Sequence, residues 1–106
     1  MAEVVWTEPA LSDLDAIADY MALDDPEAAR ELVRRVFRHV EQLASHPKSG
    51  PTPPELRGWR YRQIIEAPCR TFYRYDAAGV YILSAMRGER LLRPRALSSR
   101  SKKLRK

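Results

Sequence analysis

Apolar residues recur at helical spacing in the first half of the chain and at strand-like spacing in the second half. The short β-branched and aromatic run Glu3–Trp6 predicts a strand. Thr7 is a suitable N-cap, and one apolar stripe behind it predicts an amphipathic helix over about residues 8–22. The stripe consists of Leu11, Leu14, Ile17, Ala18 and Met21.

A second amphipathic helix follows almost immediately. Asp25 is a good N-cap and Pro26 suits the first helical position. The helical period is then held by Ala29, Leu32, Val33, Val36, Phe37, Val40, Leu43 and Ala44. Two amphipathic helices joined this tightly predict an antiparallel helical hairpin.

The second half of the chain reads as a loop and three strands. Ser45–Gly58 is rich in proline, which disfavours both helix and central strand. The strand-like runs are Trp59–Glu66, Cys69–Tyr75 and Val80–Ala85, separated by turns at Ala67-Pro68 and Asp76–Gly79. The order β-α-α-β-β-β predicts an α+β fold, in which an N-terminal strand and a three-stranded antiparallel meander form one curved sheet packed on the helical hairpin.

Length and composition indicate one soluble, cytoplasmic domain, because the 106 residues include no long apolar run and no secretory signal. We expect the domain to span residues 1–97. Residues 98–106 contain five basic residues and one apolar residue, which predicts a mobile basic tail. We expect no cofactor, no metal and no membrane partner.

The net charge of +5 is unevenly distributed along the chain. Residues 1–45 hold four Arg or Lys and ten Asp or Glu, whereas residues 46–106 hold fifteen and four. A basic half of this strength indicates an anionic partner, either nucleic acid or an acidic polypeptide, although arginines that only solubilise a sheet face would give the same pattern.

Few side chains suggest catalysis by themselves. The two histidines, His39 and His46, lack a nearby cysteine and make a poor metal site. Cys69 has no evident base partner and is interpreted as a packing residue. Tyr73, Tyr75 and Tyr81 favour packing on the sheet, with base stacking as the alternative.

Nine short segments, taken in their order along the chain, form a recognisable set: Val5-Trp6-Thr7, Ala10–Leu14, Ile17–Tyr20, Asp25–Ala29, His46-Pro47, Gly50, Tyr61–Ile64, Phe72–Arg74 and Val80–Leu83. In this order and spacing they resemble the RelE/ParE toxin superfamily of type II toxin–antitoxin systems, and the resemblance covers roughly residues 3–93. The resemblance implies a growth-inhibiting toxin neutralised by an antitoxin encoded nearby. It leaves two chemistries open: ribosome-dependent mRNA cleavage by RelE-like members and inhibition of DNA gyrase by ParE-like members.

For the RelE-like chemistry, the resemblance implies that Arg62, Arg70 and Arg87, with Arg90 as a further candidate, hold the phosphate. RNA cleavage also needs groups that transfer protons at neutral pH, which arginine does poorly. Met86 stands where related toxins often carry His, and no His or Tyr follows Tyr81. Glu66 and Tyr61 remain as candidate proton-transfer groups.

The missing acid favours the ParE-like alternative, a gyrase inhibitor that is not an enzyme, over a metal-independent endoribonuclease. A non-toxic nucleic-acid-binding module is a third hypothesis. For the antitoxin we expect an acidic amphipathic segment that contacts the helical hairpin and the basic sheet. The predicted antitoxin-binding residues are Leu14, Ile17, Met21, Val36 and Arg74.

Overall fold

A computed structural model of the chain describes residues 2–88, 90 and 92–104. Its strands are β1 (Glu3–Trp6), β2 (Arg62–Glu66), β3 (Cys69–Tyr75) and β4 (Gly79–Arg87). Its helices are α1 (Glu8–Ala22), α2 (Pro26–Glu41) and α3 (Pro94–Lys102), and 3₁₀ turns cover Gln42–Ala44 and Pro54–Leu56. The α+β class and the element order predicted through β4 are therefore confirmed.

Both helices of the hairpin begin at the predicted caps. The hydroxyl of Thr7 accepts a hydrogen bond from the backbone N–H of Ala10 at 3.3 Å and donates to the carbonyl of Ile82 at 2.7 Å. The carboxylate of Asp25 accepts from the N–H of Ala28 at 3.1 Å. Each cap satisfies an otherwise unpaired N–H of the first turn, and Thr7 also ties α1 to the sheet.

The four strands form one sheet in the order β1-β4-β3-β2. The pairs β2–β3 and β3–β4 are antiparallel, as a meander requires, whereas β1 runs parallel to β4. β1 pairs only with residues 79–82 of β4, so no strand of the described residues lies beside this edge of β4 beyond Ile82. The register shifts between Phe72 and Tyr73, which pair with Ser84 and Ile82, so Leu83 is the extra residue of a bulge in β4.

The sheet separates two apolar clusters. We call the cluster between the sheet and the helical hairpin the hairpin-side core; it includes Leu14, Ile17, Leu32, Val36, Ile64, Cys69, Tyr73 and Ile82. The cluster on the opposite face is the α3-side core, formed by Leu56, Tyr61, Phe72, Leu83, Leu92 and Leu97. The hairpin face and the α3 face of the sheet are named accordingly below.

The C-terminal segment differs from the sequence expectation, because residues 98–102 continue α3 and pack on the sheet. Ser101 is 2% exposed and accepts a hydrogen bond from Nε of Arg74 at 2.6 Å. Arg100 donates to Asp13 of α1 at 2.6 Å and to the carbonyl of Leu83 at 3.0 Å. These polar contacts supplement the buried Leu97 in docking a helix with little apolar surface, while Arg105 and Lys106 of the expected tail lie outside the described residues.

Among the described residues, no helix is both long enough and apolar enough to cross a membrane.

Candidate functional site

Arg70 lies on the α3 face of the sheet in a closed set of contacts. Its two terminal nitrogens donate to the two carboxylate oxygens of Glu55, each at 3.0 Å, and its Nε donates to the side-chain oxygen of Gln63 at 2.9 Å. The guanidinium also lies 5.0 Å from the ring centre of Phe72. The hydrogen bond from Arg70 lowers the pKa of the Glu55 carboxyl, so the pair stays ionised at neutral pH.

Arg62 lies on the opposite, hairpin face. It pairs across the sheet with Tyr73, whose ring belongs to the hairpin-side core. Its guanidinium donates to the carbonyl oxygens of Lys48 at 3.1 Å and Gly50 at 2.8 Å. Arg62 therefore holds the long proline-rich loop against the edge strand β2.

Arg87 also lies on the hairpin face, at the end of β4. It pairs with Cys69, and its guanidinium lies 4.8 Å from the ring centre of Tyr20 on α1. Arg90 is exposed and follows a short turn after β4. These two arginines line the same groove between α1 and the sheet.

The candidate proton-transfer groups are also divided between the two faces. The carboxylate of Glu66 accepts a hydrogen bond from Nε of Arg35 at 3.2 Å and lies 2.8 Å from Nδ1 of His39. Both partners are on α2. Tyr61 is 4% exposed within the α3-side core. Sequence reasoning missed the His39–Glu66 contact, because a histidine on α2 and a carboxylate on β2 meet only after the helix packs on the sheet.

The structure therefore does not assemble the RNA-cleavage site predicted from the sequence. Arg70 and Tyr61 lie on one face of the sheet, whereas Arg62, Arg87 and Glu66 lie on the other. The side chain opposite Arg70 on β4 is Met86, which has no proton to transfer. Arg70 and Arg62 are already held by protein oxygens, so their cationic groups have partners before any phosphate arrives.

Four of the five predicted antitoxin-binding residues are buried within the domain. Leu14, Ile17 and Val36 are 2%, 8% and 1% exposed in the hairpin-side core. Arg74 is 4% exposed and bonds to Ser101 and Asp76 within the domain. The helical periodicity identified the buried stripe of each helix, which packs on the sheet and offers no surface to a partner.

The fifth residue, Met21, lines an open groove that runs past the unpaired edge of β4. One end is a cavity of about 480 Å³ between the hairpin turn and Arg87. A neighbouring cavity of about 490 Å³ shares Tyr20 and Arg87 and extends along α1 to Arg90. We call this surface the β4 groove. Its most exposed apolar side chains are Tyr20, 60% exposed, and Leu23, 86% exposed.

Cations and a strand edge accompany these apolar side chains. Arg87 and Arg90 line the groove, and a third cavity continues it to Arg93 and Arg100 of the α3 segment. On the edge of β4, the N–H of Ala85 donates to the carboxylate of Asp13 at 3.1 Å. Apolar side chains beside arginines and a strand edge are the features with which proteins bind an acidic, amphipathic segment.

No group of three or more His, Cys, Asp or Glu is placed to hold a metal ion in the part of the chain that the structure describes. Cys69 is fully buried, and burial raises the pKa of its thiol. Because a buried, protonated thiol is a poor nucleophile, Cys69 serves as a packing residue. Tyr73 is fully buried too, while Tyr75 packs against the hairpin-side core and Tyr81 against the α3-side core.

A helical hairpin on one face of a small curved sheet, with a basic second half, is the architecture of a RelE/ParE-type toxin. The sequence model of the ParE toxin of the type II toxin–antitoxin system parDE matches residues 4–92. The chain therefore belongs to the ParE toxin family.

The chain is similar to a toxin of Caulobacter vibrioides named RelE2, with 35% identity over 86% of this chain and all of that protein. It is also similar to a solved chain of the chromosomal ParDE toxin–antitoxin system from P. aeruginosa, with a TM-score of 0.67 and 29% identity over 84% of this chain and 98% of the other. The resemblance to the RelE/ParE superfamily is thus confirmed, and so is the class of protein: the toxin component of a type II toxin–antitoxin system with an antitoxin as its partner.

Proposed function

We propose that this toxin arrests bacterial growth in the cytoplasm by inhibiting DNA gyrase in the ParE manner. The observation that carries the proposal is the division of Arg62, Arg70 and Arg87 between the two faces of the sheet. Cleavage of RNA needs cations and proton-transfer groups around a single phosphate. An inhibitor that acts by binding needs only a complementary surface, and the exposed Arg90 with the adjacent Arg87 offers one to an anionic or acidic target.

The test is controlled expression in bacteria, followed by two assays with the purified protein. We expect growth arrest, loss of gyrase supercoiling and accumulation of gyrase trapped on cleaved DNA, with mRNA intact in a translating extract. Arg90→Gln should weaken the effect on gyrase, while Arg38→Gln, an equal charge change on the exposed side of α2, should not. Cleaved mRNA together with normal supercoiling would overturn the proposal.

Ribosome-dependent mRNA cleavage is the second candidate, and two observations favour it. One relative carries the name RelE2, and His39 with Glu66 forms a histidine–carboxylate pair at 2.8 Å. Such a pair is a known arrangement for proton transfer. If mRNA is cut, His39→Gln should abolish cleavage more fully than Arg70→Ala, because Arg70 is held by Glu55.

We further propose that the cognate antitoxin covers the β4 groove. Tyr20, Met21 and Leu23 would receive its apolar side chains, and Arg87 and Arg90 would pair with its acidic residues. Because a partner that binds only the folded toxin stabilises it by mass action, the melting temperature of the toxin should rise on addition of the antitoxin. An unchanged melting temperature would contradict this part of the proposal.

A further inference from the structure

A second exposed surface lies on the α3 face, away from the β4 groove. Trp59 is 42% exposed, although a residue of this size is usually largely buried. Its indole stacks on Tyr61, with ring centres 6.1 Å apart and planes inclined by 23°. Because Tyr61 is buried in the α3-side core, Trp59 is held on a rigid support while part of its ring stays open.

The local backbone presents the indole outward. Gly58 precedes Trp59 and has φ of 89°, a conformation that favours glycine. A Cβ on Gly58 would meet no atom within 4 Å, so this turn stands free of the rest of the domain. Beside it, a cavity of about 380 Å³ separates Trp59 and Arg60 from α3, where Ser98 and Lys102 form the other wall.

Several basic residues surround Trp59. Arg57 and Arg60 flank the indole on the loop, and both are exposed. On α3, Arg95 and Lys102 are exposed and lie three residues before and four residues after Ser98, which places them on the same helix face. Glu55, the acidic residue nearest in sequence, has its carboxylate occupied by Arg70.

We propose that Trp59 and these four cations form a binding site for single-stranded nucleic acid, an activity separate from the inhibition of gyrase. A base would stack on the indole, and Arg57, Arg60, Arg95 and Lys102 would hold the phosphates on either side. This combination of an aromatic platform with surrounding cations is how proteins bind single strands without reading their sequence. An acidic peptide would use the same cations, but only a nucleic acid carries a flat ring beside every phosphate, so the nucleic acid fits the surface better.

The experiment measures binding of the purified full chain to a labelled, short single-stranded oligothymidylate by fluorescence anisotropy at several salt concentrations. Trp59→Ala should weaken binding roughly tenfold at every salt concentration, because it removes stacking and no charge. Trp59→Phe should recover part of the loss. Arg60→Gln should lower the dependence of log affinity on log salt by about 0.7, the value for one phosphate contact to a single strand.

Two internal controls are available in the chain. Arg38→Gln makes the same charge change as Arg60→Gln at an exposed position on α2 and should leave both affinity and salt dependence unchanged. Trp6 packs against Phe37, with ring centres 4.7 Å apart, in the hairpin-side core. The oligonucleotide should therefore quench the fluorescence of the wild type but not that of Trp59→Ala, in which only Trp6 remains.

Circular dichroism melting would confirm that each variant is folded, and Arg60→Gln tests the site independently if Trp59→Ala is unstable. Oligothymidylate affinity that is equal in the wild type, Trp59→Ala and Arg60→Gln would overturn the proposal. Tighter binding of polyglutamate than of oligothymidylate, with the same loss in Trp59→Ala, would overturn it in favour of an acidic peptide. Neither result depends on gyrase, so the proposed toxin mechanism stands or fails separately.

Discussion

At the scale of single residues, Tyr73 fixes the long loop before the sheet to the hairpin-side core. Its hydroxyl donates to the carbonyl of Pro47 at 2.7 Å and accepts from the N–H of Gly50 at 3.0 Å. Burial of the ring raises the pKa of the phenol, which keeps the hydroxyl protonated and able to donate. Gly50 is required at this point, because a Cβ there would come within 2.5 Å of the carbonyl oxygen of Gln63 and 2.6 Å of the Tyr73 hydroxyl.

Gly50→Ala should therefore lower the free energy of unfolding by about 1–3 kcal/mol, the usual cost of forcing an extra methyl group into a packed site. Gly88→Ala is the matched control, since its nearest contact would be the Pro68 carbonyl at an ordinary 3.6 Å. Urea denaturation of both variants measures the difference. Equal midpoints for Gly50→Ala and the wild type would show that the loop moves aside without cost.

The stability of the folded protein should depend on pH through Glu55. Its pKa is lower in the folded protein, chiefly because Arg70 donates to the carboxylate, so the unfolded state binds protons first as the pH falls. The stabilisation from Glu55 is complete above its unfolded pKa of about 4.3 and is lost as the pH falls from there through the lower folded pKa. The difference in melting temperature between the wild type and Glu55→Gln should be largest near neutral pH and shrink in acid. A difference that stays constant between pH 7 and pH 3 would contradict the assignment.

At the scale of elements, Asp13 of α1 connects three parts of the fold. Its carboxylate accepts hydrogen bonds from the hydroxyl of Ser84 and the N–H of Ala85, each at 3.1 Å, and from Arg100 at 2.6 Å. It thus satisfies part of the unpaired edge of β4 and holds the last turns of α3. The buried Ser101–Arg74 contact fixes the same helix from its other side.

Asp13→Ala should lower the free energy of unfolding by about 1–3 kcal/mol, because it leaves the N–H of Ala85 without an acceptor and removes the carboxylate that pairs with Arg100. Asp15→Ala, two residues along on the exposed side of α1, should change it by less than about 0.5 kcal/mol. Limited proteolysis offers a second measurement, since loosened α3 should be cut first within 98–102. Unaltered proteolysis and unaltered stability would show that α3 docks without Asp13.

The elements differ in how far the sequence determines them. Thr7 and Asp25 act at short range, and the apolar stripes behind them repeat over several turns, so both helices begin at the predicted caps and α1 also ends where predicted. α2 ends at Glu41, whereas the predicted helical period continued through Leu43 and Ala44, which lie in a 3₁₀ turn. α3 could not be predicted in this way, because it docks through Ser101 and Arg100 and its partners Arg74 and Asp13 lie far away in the chain.

The candidate site was harder to predict than the helices for a related reason. Arg62 and Arg70 were assigned to neighbouring strands correctly, but whether two side chains share a face depends on the register. Residues 62 and 73 pair, as do 65 and 70, and this pairing puts Arg62 and Arg70 on opposite faces. A shift of one residue would have placed them together, and the register is set by the turn at Ala67-Pro68, which pairs Glu66 with Cys69.

At the scale of the whole molecule, the helical hairpin and α3 cover opposite faces of the sheet and leave the β4 groove between them. Its exposed aromatic residue, Tyr20, lies over Arg87 and borders two adjoining cavities. Large aromatic side chains at the centre of an interface commonly contribute most of its binding energy. The groove is therefore the part of the surface where antitoxin binding is most sensitive to substitution.

Tyr20→Ala should weaken binding of the cognate antitoxin by about 2 kcal/mol, which corresponds to roughly thirtyfold in the dissociation constant. Leu11→Ala, which removes an apolar side chain that is 37% exposed on α1 outside the groove, should leave the constant within about twofold of the wild type. Isothermal titration calorimetry with both variants measures the two constants. Equal losses in the two variants would place the antitoxin along all of α1.

The first 45 residues are acidic and the rest of the chain is basic, with four cations and ten acids in residues 1–45 against fifteen and four in residues 46–106. Because the hairpin covers one face of the sheet, the molecule carries an electric dipole besides its net charge of +5. A polyanion exerts a torque on such a molecule and turns the hairpin away before contact is made. At physiological ionic strength the field decays over about 8 Å, less than the 26 Å of the shortest molecular dimension. The field therefore orients the protein only over the last part of its approach. Higher salt should lower the rate constant of association, because it screens the field that orients the molecule.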